Sequence, residues 1–137
     1  GLDVVVGSGV TFFFYDPGRT LPPDRRLPFA TLVTNDTYDS ASQLNRPSVF
    51  RLNIGVGTDT YRSLIGPQPT PPSAAGVVDT GHDFTVLDQL LPHPVYAPMS
   101  RVCVLKPSDA TFQAARPLLA EAYDLAVRRH ARRVARG

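Results

Sequence analysis

Residues 49–56, "VFRLNIGV", decide the fold. Phe50, Leu52, Ile54 and Val56 alternate with Arg51, Asn53 and Gly55. A period of two places the apolar set on one face of a β-strand and the polar set on the other. A sheet with one greasy face needs a covering layer, so the flanking sequence is read for further strands and for helices to cover them.

Upstream, Leu2 to Val6 is rich in β-branched residues, Gly7, Ser8 and Gly9 supply a tight turn, and Val10 to Tyr15 returns, which predicts a β-hairpin. "DPGRTLPPDRRLP" (16–28) breaks any strand, because proline removes backbone donors and Pro-Gly sets a turn. Phe29 to Val33 resumes an extended run, and a polar connection follows, with a helical turn expected near Ser40 to Leu44.

Downstream, Thr58 is placed to cap a short helix with Tyr61, Leu64 and Ile65 facing inward, ended by Gly66 and Pro67. "PQPTPPSAAG" (67–76) reads as an extended loop. Phe84, Leu87, Leu90 and Leu91 follow helical spacing, so a helix is expected over Asp83 to Leu91. Arg101 to Leu105 carries four successive apolar residues after its arginine, the pattern of a strand covered on both faces. Ser108 is a candidate cap for the last helix. Pro117 predicts a kink or short leading turn, with the main helix running from about Pro117 to Arg133.

Strands bunched early and helices late, with no βαβ alternation, predict one α+β domain: a mainly antiparallel sheet of about five strands packed against two or three helices. The length of 137 residues is that of a single domain. Hydrophobic residues at 42% and charged residues at 19% give a globular balance. No apolar run approaches the ~20 residues of a membrane-spanning helix. One cysteine can build neither an internal disulfide nor a cysteine-rich zinc site. With an opening "GLDVVVGSGV" unlike a secretory signal, this sets the expectation of a reducing, cytoplasmic setting. The charge is uneven: residues 1–111 hold 8 Lys and Arg against 10 Asp and Glu, whereas residues 112–137 hold 6 against 2.

Several chemistries lack their motifs. "GSG" and "GVG" have neither the further glycine nor the lysine and hydroxyl residue that cradle phosphates. "TGHDF" lacks the serine of a nucleophile elbow. Asp79, His82 and Asp83 match no established metal spacing, and neither metal nor cofactor is expected. His93, clamped in "LLPHPVYAP", is either a base within reach of Tyr96 or Cys103, or a polar anchor that fastens its loop to the sheet. Cys103, in an apolar strand, is expected to be a buried, unreactive thiol.

Arg51 and Asn53 either point to a solvated outer face or, on a concave one, meet a carboxylate or phosphate. Tyr15, Arg51, Asn53, His93 and Tyr96 are therefore the candidate ligand-binding residues of a small domain that binds a small ligand or a protein. Arg128, Arg129, Arg132, Arg133 and Arg136 near the end of the last helix support an alternative, nucleic-acid binding, or else form a solvated helix end that complements its dipole. An enzyme using His93 with Tyr96 or Cys103 is the third reading.

Taken in order, "TFFFYDP", "LPFATLVT", "LNRPSVFRLNIGVG", "LLPHPVYAP" and "RPLLAEAYDLA" resemble an uncharacterised bacterial family of small proteins, a domain of unknown function, over nearly the whole chain. "FRLNIGVGTDTYRSLIG", "RVCVL" and "EAYDLA" more distantly resemble the MmcQ/YjbR-like group, which implies a CyaY-like two-layer sandwich. The latter group commonly has lysine near the position of Asn53 and an aromatic residue near that of Arg101. Fold likeness carries no activity across.

Overall fold

The computed structural model describes residues 2–18, 27–71 and 76–135. Six strands and two helices run in the order β1 (Leu2–Gly7), β2 (Val10–Tyr15), β3 (Ala30–Val33), β4 (Arg51–Gly55), α1 (Thr58–Leu64), β5 (Leu90–Pro92), β6 (Arg101–Leu105) and α2 (Asp109–Ala135). They form one open sheet, ordered β1-β2-β3-β4-β6-β5, in which every neighbouring pair is antiparallel. The α+β arrangement expected from the sequence is found, with one strand more than anticipated. Among the described residues no helix is long and apolar enough to cross a membrane.

The opening hairpin turns on Ser8 and Gly9, whose φ angles are both positive (54° and 77°). Positive φ at both central residues is the mark of the type I′ turn, whose twist suits paired strands. On β4 the alternation of Phe50 to Val56 holds. Leu52 and Ile54, with Val56 just beyond, join Ala30, Val102 and Val104 in a core cluster that α2 covers with Ala115, Ala122 and Ala126. Small residues on that face let the helix approach the sheet closely.

Three local expectations are corrected. Residues 83–89 form turns rather than a helix, and Leu90–Pro92 is a strand on the sheet edge beside β6. Asp83 Oδ1 accepts the Thr85 N–H at 2.9 Å and its hydroxyl at 2.6 Å, and Asp88 sits at φ 59°. Short polar side chains that satisfy nearby donors compete with helical hydrogen bonding. Second, α2 starts at Asp109, with Ser108 Oγ accepting the Thr111 N–H at 3.3 Å, and continues through Pro117. Pro117 is exposed, so water can serve the Gln113 carbonyl that a proline leaves without its helical donor. Third, Thr58 is the first helical residue of α1 rather than its cap. Gly57 occupies the cap position, and Glu121 of α2 accepts its N–H at 2.8 Å and the Thr60 hydroxyl at 2.7 Å.

The sheet face away from α2 is not solvated. Residues 34–50 fold over it, and Leu44 and Val49 join Val10, Val33, Leu91, Cys103 and Leu105 in a second buried cluster. Arg46 fastens this cover from below, donating to the carbonyls of Gln43, Ser42 and Thr85 at 2.8–3.0 Å.

Candidate functional site

Arg51, at the start of β4, is only 2% exposed, and Asn53 only 4%. Burying a guanidinium is costly unless a partner and full hydrogen bonding compensate. Here the compensation comes from the 34–50 cover. Arg51 Nη1 and Nη2 donate to the two carboxylate oxygens of Asp39 at 3.0 and 2.7 Å. Nη1 also donates to Ser42 Oγ at 3.0 Å, and Nε donates to Asn53 Oδ1 at 3.0 Å. Asn53 passes the chain on, its amide donating to Thr31 Oγ1 at 2.9 Å. Four of the five guanidinium donors are thus used, and one on Nη2 has no acceptor among the described residues. Burial alone would raise the Asp39 carboxyl, but the hydrogen bonds and charge of Arg51 outweigh it and hold Asp39 below its ordinary range.

His93 follows β5 and lies between Pro92 and Pro94, both fully buried. Its Nδ1 accepts the backbone N–H groups of both Val95 and Tyr96, each at 3.0 Å, and its own N–H donates to the Arg101 carbonyl at 2.9 Å. A nitrogen that accepts twice carries no proton, so the neutral ring holds its hydrogen on Nε2. That hydrogen has no acceptor among the described residues. Burial first, and then the charge of Arg51, push the imidazole down to about 3; Asp39 opposes them by less, and Arg101 adds the smallest downward push. The ring therefore braces its own turn, and the tie to the sheet is made by the His93 backbone N–H rather than by the imidazole. The brace is built from two backbone N–H donors to one ring nitrogen.

These groups meet at a cavity of about 330 Å³. Arg51, Asn53, Asp39, His93 and Arg101 supply its polar wall, and Phe12, Leu27, Tyr38, Tyr96 and Met99 are among its apolar and aromatic lining. Leu27, Tyr38, Tyr96 and Met99 are each exposed to a large extent, although they are big hydrophobic or aromatic side chains. Phe12 meets Tyr38 edge-on at 6.5 Å between ring centres, and the His93 and Tyr96 rings lie 5.1 Å apart.

Four of the five residues singled out from sequence, Arg51, Asn53, His93 and Tyr96, share this cavity. Tyr15 does not: it lies on the opposite sheet face, edge-on to Tyr123 and His130 at 5.4 Å from each. The Cys103 thiol donates to the Pro92 carbonyl at 3.6 Å, and burial pushes it up to about 12, where no thiolate forms near neutrality. No hydrogen bond joins His93 to the Cys103 thiol or to the Tyr96 hydroxyl among the described residues.

The terminal arginines divide. Arg128 pairs with Asp124 at 2.7 Å in the open, Arg129 is half-buried, Arg132 and Arg133 are exposed, and Arg136 lies outside the described residues. Arg101 and Asp39 were not singled out beforehand. Arg101 was legible in principle: counting back by two from Leu105 and Cys103 puts it on the cavity face, opposite Gly55 in the ladder. Asp39 had no such signal, because it comes from a loop whose path over the sheet no local pattern encodes.

The chain belongs to the Family of unknown function (DUF6194), which it matches over residues 1–135. Comparison with curated proteins and with solved structures returns no significant match.

Proposed function

We propose that this DUF6194 domain is a binding module for a small, partly apolar organic ligand, held in the cavity between β2, β3, β4 and the His93 turn. The observation that carries this reading is the cavity's composition: a rim of exposed Leu27, Tyr38, Tyr96 and Met99 above a floor of buried, fixed polar groups. Small-molecule sites combine a mostly apolar, concave lining with a few convergent polar groups, and begin at about 300 Å³. Arg51 and His93 both line the cavity, and each keeps one N–H, on Nη2 and Nε2, without an acceptor among the described residues. Their rigid supports mean that little ordering accompanies binding. No covalent chemistry is part of the reading. The single buried cysteine suits a reducing, cytoplasmic setting in a bacterium, and the all-antiparallel sheet with a terminal helix suits the likeness to the MmcQ/YjbR-like group.

Arg51 is a poor residue with which to test this, because its loss strands Asp39. The test uses the rim. Aromatic fragments titrated into labelled protein are expected to shift the amides of Tyr38, Tyr96 and Met99, and Met99→Trp, which fills the mouth, is expected to abolish those shifts with the fold unchanged. Fragments that bind with equal affinity to Met99→Trp, or that shift only remote amides, would overturn the proposal.

Nucleic-acid binding by the terminal arginines is the second reading, favoured by the 6 to 2 excess of basic over acidic residues in 112–137. It requires duplex binding that weakens steeply with salt and vanishes on removal of residues 128–137. The pairing of Arg128 with Asp124 and the inward placement of Arg129 leave it less continuous positive surface.

A further inference from the structure

Arg101 is the charged residue of β6, nine-tenths buried at 9% exposure, and its guanidinium has no acceptor among the described residues. It lies against Gly55, its partner across the β4–β6 ladder: a Cβ at that position would come within 2.7 Å of Nη1 and 2.9 Å of Cζ. Glycine leaves the room in which this cation sits. Arg101 also stands at the junction of two cavities. One is the 330 Å³ cavity already described, and the other, of about 160 Å³, is lined by Gly55, Val56, Leu125, Arg129 and Arg132. Leu27 and Met99 are walls of both.

Among the described residues, three guanidinium groups thus line the smaller cavity and no carboxylate does. The nearest acids of α2 are engaged elsewhere, Glu121 with Gly57 and Thr60, and Asp124 with Arg128. Burial and then the charge of Arg129 bring Arg101 down to about 10, while burial and then Arg132 and Arg133 lower Arg129. A buried cation without a partner is strongly unfavourable, and the half-buried Arg129 and exposed Arg132 beside Arg101 add repulsion. The chemistry that relieves it is an oxyanion, which the planar donor forks of arginine match in shape and charge.

We infer that Arg101, Arg129 and Arg132 form an oxyanion subsite that takes the phosphate or carboxylate of a ligand whose apolar body occupies the larger cavity. The inference rests on the cavity reading above, which it deepens by assigning the ligand class: a small organic acid or phosphate monoester, with Arg101 joining its two ends. The same donors accept a free anion, and the probes below separate the two sources.

The full chain is titrated with inorganic phosphate, phenyl phosphate, benzoate and phenol, with calorimetry and melting temperature as readouts. Phosphate is expected to bind and raise the melting temperature, phenyl phosphate to bind more tightly than phosphate, and benzoate more tightly than phenol. Arg101→Met is expected to melt at or above the wild-type temperature without anions, since it removes an unpaired buried charge, and to bind the three anions about tenfold or more weakly. Arg129→Gln is expected to weaken phosphate in the same direction. Equal phosphate affinity in wild type and both variants, or no anion binding at low ionic strength, overturns the subsite; phenol binding that persists in that case leaves the cavity reading standing. Phosphate binding lost in Arg101→Met, with phenyl phosphate no tighter than phosphate, supports the anion subsite and overturns its link to an apolar body. A large drop in the melting temperature of Arg101→Met would make the residue structural and overturn the inference.

Discussion

His93 Nδ1 accepts the backbone N–H of Tyr96 at 3.0 Å, and the same nitrogen accepts that of Val95. One unprotonated imidazole nitrogen therefore shapes the turn that brings Tyr96 to the cavity mouth, and the fold depends on that ring staying neutral.

Stability should accordingly fall with acid in a defined window. The ring titrates near 6.5 when unfolded and is pushed down to about 3 in the fold. Between these values the unfolded chain binds the extra proton, so the contribution is intact above about pH 6.5 and is lost progressively as pH falls toward about 3. Urea unfolding at pH 7, 5.5 and 4.5 should show wild type losing up to about 1.4 kcal/mol per pH unit more than His93→Asn, whose side-chain oxygen accepts the same donors without titrating. Asp39 enters only below its ordinary 3.8, since its carboxyl is lowered in the fold, and does not confuse this range. Parallel pH profiles for the two proteins would count against the neutral-ring account.

The Arg51–Asp39 pair should be strongly coupled. Removing either partner strands a buried charge, and Arg51→Met or Asp39→Leu alone is expected to cost about 3–5 kcal/mol. The double variant should lose at least about 2 kcal/mol less than the two single losses together, because neither charge then remains. Additive losses in denaturant melts would show that the pair does not fasten the 34–50 cover to the sheet.

Gly55→Ala should fold. Its φ is not in the left-handed region, and the atoms a Cβ would meet belong to the far end of the Arg101 side chain, which can move. The displaced guanidinium should then weaken phosphate binding by about tenfold, a charge-assisted hydrogen bond's worth. A full phosphate response in Gly55→Ala would show that the placement of Arg101 against Gly55 does not matter.

Pro117→Ala should stabilise the protein by up to about 3 kcal/mol, because an exposed helix-interior proline forfeits a hydrogen bond and crowds the preceding turn. An unchanged or lower unfolding midpoint would mean that the proline sets a helix geometry which the sheet contacts require.

Much of this molecule was legible along the chain because its signals are local. The alternation of Phe50 through Val56 fixed which side of β4 meets α2, Ser8 and Gly9 fixed the hairpin, and Ser108 marked the cap of the last helix, although Pro117 pointed to a later start of its main run. The same locality misled at residues 83–91. There, helical spacing of apolar residues competed with the Asp83 turn and with a free sheet edge beside β6, and a helix-like pattern in a short segment yields to pairing that the segment cannot foresee.

By itself the sequence determined the antiparallel α+β plan, the greasy and polar faces of its strands, and the stiffness of the Pro-His-Pro turn, all of which follow from near-neighbour sterics and periodicity. Only the tertiary structure decided that the polar face would be buried, that Asp39 would meet Arg51, and that Arg101 would stand between two cavities with no acceptor among the described residues. Those outcomes depend on how a loop with no repeating pattern crosses the sheet. Charges distant along the chain come within hydrogen-bonding reach only after the chain has closed around them.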